Sequence, residues 1–176
     1  MNALPDLIPK RLSLLILDEH SRRFLPALIA RLALRAPLRV LDAGNCFPAY
    51  PVAREIRRRS ADLDAALERI QVARAFTCYQ TLALLEETPS DATPVLILSL
   101  LSTFYDESAR LAERKRLLLR CTQEIRRLCR HAPIGVVVSL RPEQPDSSDL
   151  LQVLERSVDE VWRIEDERPL PPPRLF

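Results

Sequence analysis

PVLILSLLSTFYD, residues 94–106, opens on a proline and then runs Val95, Leu96, Ile97 and Leu98 with no polar interruption. A strand with one wet face alternates apolar and polar residues, so an unbroken apolar run implies a strand covered on both faces, as in a parallel sheet. Ile134 to Ser139 has the same character. Between the two, Ser108 to Arg130 places Leu111, Leu118, Cys121, Ile125, Leu128, Cys129 and Ala132 on one side of a helix, the longest the chain predicts. Parallel strands need such a crossover to connect them.

The pattern repeats outward from this unit. Leu14 to Leu17 reads as a strand, the polar cluster Asp18 to Ser21 as a turn, and Phe24 to Leu34 as a helix. Arg39 to Asp42 is a second strand candidate. Beyond it the turn Pro48-Ala49-Tyr50-Pro51 leads to a helix over Val52 to Arg59 and a shorter one over Asp62 to Glu68. Ile70 to Phe76 reads as a strand, and Thr77 with Gln80 has the T-x-x-Q spacing of a capping box for a helix that stops before Pro89. Asp149 to Arg156 predicts a helix and Val161 to Glu165 a weaker strand. The expected fold is α/β, a mostly parallel central sheet with helices on both faces. One domain is expected over residues 1–168, followed by a proline-rich tail over 169–176 that can extend only as polyproline II.

With 176 residues, 47% of them hydrophobic, the chain can bury one substantial core. A net charge of +2 with 28% charged residues gives no global basic field of the kind nucleic-acid binders carry. Cys46, Cys78, Cys121 and Cys129 form no C-x-x-C pair and have no histidine at ligand spacing, so they are expected to be small buried hydrophobes rather than metal ligands. The N-terminus lacks the layout of a signal peptide and no window is long enough to span a bilayer, so the expectation is a cytoplasmic chain without membrane contact. Gly44 and Gly135 are the only glycines, little material for a loop whose backbone must converge on phosphate.

Three segments in fixed order, LDAGNCF (41–47), VARAFTCYQTLALL (72–85) and PVLILSLLSTFYD (94–106), together with GVVVSL (135–140), resemble successive segments of the RecA-like recombinases of the P-loop ATPase superfamily. The resemblance spans about residues 12 to 165. It implies a RecA-like core, yet this chain departs from the family at most of the positions that handle nucleotide. Where the family has a glycine-rich phosphate loop ending in Lys-Thr or Lys-Ser, LDEHSRRF (17–24) has neither glycine nor lysine. Asp42 matches the aspartate ending the family's second strand, but Gly44 stands where the water-activating glutamate belongs. Ser99 replaces the acidic residue that helps hold magnesium, and Leu140 with Arg141 replaces the polar γ-phosphate sensor. These departures lie on separate strands that would converge at one end of the sheet, as a degenerate site would. No catalytic residue, cofactor or metal is therefore expected. The family's two DNA-contacting loops are also short here, so assembly around DNA does not follow from the resemblance.

The remaining candidates lie on surfaces. Arg116, Arg120, Arg127 and Arg130 fall opposite the apolar side of the long helix and predict a solvent-facing stripe able to meet phosphate or an acidic protein. Acidic residues gather C-terminally at Glu143, Asp146, Asp149, Glu155, Asp159, Glu160 and Glu165 to Glu167, which allows head-to-tail docking or internal charge balance. His20 near Asp18 and Ser21 fits a solvated turn better than a nucleophile–base pair, and His131 fits a helix C-terminus. Pro169, Pro172 and Arg174 match P-x-x-P-x-R, a ligand pattern for proline-binding domains, in a tail that reads as an ordinary extended linker. The expected function is that of a non-catalytic RecA-like paralogue acting through protein contacts in a DNA recombination or repair assembly. Its expected partner is an intact RecA-like ATPase or a second copy of itself. The alternatives are an ATP-independent DNA-binding module and an unconventional NTPase built on Asp42, Glu19 and Arg141.

Overall fold

The computed structural model describes residues 7, 10–18, 20–106, 109–141, 143–144 and 146–164. Among the described residues six strands and six helices follow one another as β1 (Leu12–Leu17), α1 (Leu25–Arg35), β2 (Leu38–Asp42), α2 (Ala49–Arg57), α3 (Leu63–Glu68), β3 (Ile70–Arg74), α4 (Cys78–Glu87), β4 (Val95–Leu98), α5 (Leu111–Cys129), β5 (Ile134–Ser139), α6 (Ser147–Glu155) and β6 (Glu160–Ile164). Short 3-10 turns occupy Ser21–Phe24 and Leu100–Phe104. The strands form one sheet in the order β3-β2-β4-β5-β1-β6, and every neighbouring pair is parallel. The α/β fold read from the apolar runs is thus present.

Strands β1, β4 and β5 are buried along their whole length, which is why β4 and β5 read as continuous apolar runs. The side chains themselves still alternate between the two faces. Leu12, Leu14, Ile16, Val95, Ile97, Ile134, Val136 and Val138 enter the layer beneath α4, α5 and α6, while Leu15, Leu17, Leu38, Val40, Leu96, Leu98 and Val137 enter the layer beneath α1, α2 and α3. Edge strands β3 and β6 are half exposed and carry Gln71, Arg74, Glu160 and Arg163, the charged and polar residues that discourage edge-to-edge pairing.

Local signals set the helix ends. Thr77 Oγ1 accepts from the Gln80 amide at 3.1 Å, while Gln80 Oε1 accepts from the Phe76 amide at 2.9 Å. The capping box therefore forms with its return bond one residue earlier than the simple motif has it. Asp62 caps α3 through the Ala65 amide at 3.1 Å. Helix α5 begins at Leu111, after extended Arg110; Ser108, where the pattern starts it, lies outside the described residues. The proline tail and Glu165 to Glu167 also lie outside them. Among the described residues no helix is long and apolar enough to cross a membrane.

Candidate functional site

Strands β1 and β5 are adjacent but send their helices, α1 and α6, to opposite faces of the sheet, and β2 and β4 do the same with α2 and α5. In open α/β sheets, ligands bind in the crevices that such divergence leaves at the C-terminal strand ends. Asp42, Gly44, Ser99 and Arg141 follow those ends, so the topology brings the departures from the nucleotide-handling pattern to one end of the sheet.

That end is filled by the chain itself. Asp42 is fully buried, and its Oδ1 accepts from the Gly44 amide at 3.3 Å and the Cys46 amide at 3.0 Å, while Oδ2 accepts from the Phe47 amide at 2.9 Å. Arg74, at the end of β3, adds an ion pair at 3.5 Å. The carboxylate thus organises the loop from β2 into α2, both of its oxygens accepting amides of that loop. Ser99 leaves β4 in the left-handed conformation, φ 51°, which is uncommon for a side-chain-bearing residue. This turn presses Ser99 against Gly44: a Cβ on Gly44 would lie 2.5 Å from Ser99 Cβ. Gly44 is required by that close approach, since its φ is not positive. A glutamate here would start inside its neighbour.

The segment after β1 is closed in a similar way. Asp18 Oδ1 accepts from the Ser21 amide at 2.6 Å, so a carboxylate of the chain meets the start of the turn into α1, the kind of position where a helix N-terminus would otherwise receive phosphate. Arg22 Nε donates to Ser139 Oγ at the end of β5, 2.9 Å away, and the Leu140 amide donates to Leu17 O at 3.0 Å, extending the β1–β5 pairing past both strands. His20 is exposed and the buried Ser21 hydroxyl has no hydrogen-bond partner, so no nucleophile–base pair forms. Arg141 lies half-buried, close enough to Tyr105 to act on its hydroxyl, whose pKa burial raises and the guanidinium partly restores.

Cysteine placement corrects one expectation. Cys78, Cys121 and Cys129 are buried, but Cys46 is an exposed residue whose thiol turns inward, 3.2 Å from Ser99 Oγ and 3.6 Å from Asp42 Oδ1. Desolvation pushes its pKa up; the Ser99 hydrogen bond and Arg22 draw it down, and Asp42 raises it again. A thiol held in its protonated form is a poor nucleophile. Burial pushes Cys121 up to about 12. Among the described residues no group of three His, Cys, Asp or Glu side chains could hold a metal.

The expected arginine stripe on α5 is largely neutralised. Arg116 pairs with Glu113 at 2.7 Å, Arg120 with Glu86 of α4 at 2.6 Å, and Arg127 with Glu124 at 2.6 Å. Arg127 corrects the solvent-facing reading. It is half-buried, donates to the Leu85, Glu86 and Thr88 carbonyls at 2.9, 3.4 and 3.2 Å, and also reaches Ser90 Oγ. These are carbonyls of α4's last turn and of the residue that ends it, so Arg127 caps a neighbouring helix. Arg130 is exposed at the opposite end of the sheet, where it lines a cavity of about 660 Å³ with Lys10, Arg126 and Cys129.

The C-terminal acids are balanced internally. Asp146 meets the buried Arg114 at 2.8 Å, Asp149 meets Lys115 at 2.6 Å, and Asp159 meets Arg126 at 2.7 Å. Sequence periodicity had no means of finding Arg114, which joins Phe104 O at 3.0 Å to Asp146 and so ties the turn after β4 to the start of α6. It also missed Tyr50, 79% exposed, and Phe76, 64% exposed, which follow β2 and β3 at the closed end. No protein-family model and no curated protein sequence matches this chain.

Proposed function

We propose that the chain is a non-catalytic RecA-like paralogue that works through protein contacts, in a DNA recombination or repair assembly. The observation that carries this reading is the self-filled end of the sheet: Asp42 is committed to the amides of Gly44, Cys46 and Phe47 and to Arg74, and Gly44 is packed against Ser99. A sheet whose ligand-facing groups hold their own loops has its free chemistry on its outer surfaces. The outer α4–α5 face suits a partner. Arg116 and Arg120 accompany exposed Tyr79 and Leu119, with Arg116 in electrostatic reach of the Tyr79 hydroxyl, and aromatic and arginine side chains are the types enriched at interface hot spots. Partner carboxylates would compete there with Glu113 and Glu86 for Arg116 and Arg120.

The partner in this reading is an intact RecA-like ATPase or a second copy of the chain. Co-purification from native extract, followed by the combined Arg116→Glu and Arg120→Glu variant, tests it. Loss of the co-purifying protein with an unchanged melting temperature is the expected result; a complex that survives both reversals removes this face from the proposal. Arg127 is left intact in that variant because its removal would uncap α4. The unconventional NTPase reading is disfavoured because Asp42 is fully buried and both its oxygens already accept amides of its own loop. The DNA-binding reading gains from a different helix.

A further inference from the structure

Helix α2 carries a charge arrangement opposite to that of α5. Arg54, Arg57, Arg58 and Arg59 follow one another around its second half and beyond, with Glu55 as the one acid of that stretch. Glu55 is shared by Arg58, at 3.0 Å, and Arg59. Arg54 and Arg57 are exposed, and neither meets a carboxylate among the described residues, although the acids of α3 follow shortly in sequence. Asp62, the first of those acids, instead caps α3.

Tyr50 shares the helical side of these free guanidinium groups. Positions 50, 54 and 57 fall within about 60° of one another at 100° per residue, opposite the buried Val52 and Ile56. Tyr50 is 79% exposed, more than any other large hydrophobic residue described. Arginines in the last turn complement the helix dipole, which accounts for part of the charge. The dipole does not account for a bare aromatic ring at the other end of the same side. Along the axis, Tyr50 and Arg57 stand about 10 Å apart.

We infer that the Tyr50, Arg54 and Arg57 side of α2 binds single-stranded nucleic acid, the arginines meeting phosphates and the tyrosine ring stacking on a base. Unpaired guanidinium groups supply attraction without first breaking an internal ion pair, and an exposed ring beside them is the combination that sequence-tolerant single-strand binders use. The inference stands on α2 alone and does not depend on the protein-contact reading of α5.

Anisotropy of a labelled oligothymidine at low salt, with the full chain, tests it. Wild-type binding should weaken as salt rises, as release of counterions requires. Arg54→Glu combined with Arg57→Glu should weaken binding at least tenfold, while Arg116→Glu combined with Arg120→Glu should leave it unchanged. Tyr50→Ala should cost about fivefold or more on the single strand and little on a duplex of equal length. Melting temperatures establish that each variant is folded. The inference is overturned by absence of wild-type binding at low salt, by full binding in the α2 double variant, by a Tyr50→Ala protein that binds like wild type, or by displacement of the oligonucleotide by polyglutamate at equal charge.

Discussion

The closed end of the sheet and the outer side of α2 use polar residues in opposite ways. At the sheet end, Asp42, Asp18, Ser99 and Ser139 each have a partner within the chain, drawn from loops that follow different strands. On α2, Arg54 and Arg57 are exposed and meet no carboxylate among the described residues. The difference shows that the chemistry available to a partner is measured by what remains exposed and exchangeable, rather than by how many polar residues gather in one place. The α5 stripe stands between the two: Arg127 is committed to the end of α4, whereas Arg116 and Arg120 are held by the exposed acids Glu113 and Glu86, which a partner's carboxylates could replace.

Breaking the closed end should have the largest effect. Asp42→Ala leaves the amides of Gly44, Cys46 and Phe47 without their acceptor and should cost about 3 kcal/mol in urea unfolding. Gly44→Ala should cost about 1–3 kcal/mol, because its methyl would meet Ser99 Cβ, 2.5 Å from the built position. A fully stable Gly44→Ala protein would show that Ser99 yields easily and that the end is less firmly shut.

Arginines on α5 should separate by role. Arg127→Ala uncaps α4 and should lose about 2 kcal/mol, whereas Arg116→Ala, at a fully exposed pair, should unfold at the same urea concentration as wild type. Equal losses would erase the distinction between a helix cap and a surface ion pair.

The smallest effect concerns acid. Asp159 accepts from the Leu12 amide at 2.8 Å and meets Arg126, contacts that lower its pKa in that order of importance. A lowered folded pKa gives stabilisation that is complete above the ordinary carboxylate range and is lost as pH falls through the folded value. Asp159→Asn should therefore be less stable at pH 7 by about 1 kcal/mol, discounted for solvent screening, with the gap closing as both proteins are acidified. Thermal melts across the acid range check it, and a gap that widens toward low pH would assign the acid sensitivity elsewhere.

Much of the fold was legible because the signals are local. Unbroken apolar runs marked β4 and β5, Thr77 and Gln80 marked the start of α4, and alternating strands and helices left a parallel sheet as the economical arrangement. The convergence of Asp42, Gly44 and Ser99 was legible as an expectation from the RecA-like resemblance. Their contacts were not, since Gly44 and Ser99 meet across the sheet and a left-handed φ at a serine has no sequence signature. Periodicity placed Arg127 on the right side of α5 but gave no sign of which helix end lay beside it. The Tyr50, Arg54 and Arg57 spacing was readable in principle. It was hidden by starting the helix at Val52, which left Tyr50 in a turn, whereas α2 begins at Ala49.

The central claim is that the C-terminal end of the sheet, where open α/β sheets bind ligands, is occupied by the chain's own side chains. Thermal unfolding with and without millimolar ATP and magnesium tests it most directly, because a ligand that binds only the folded state must raise the melting temperature. The account predicts melting temperatures that agree within about 1 °C. A rise of several degrees that grows with ATP concentration, and disappears in the Arg22→Ala or Arg74→Ala protein at that end, would contradict it.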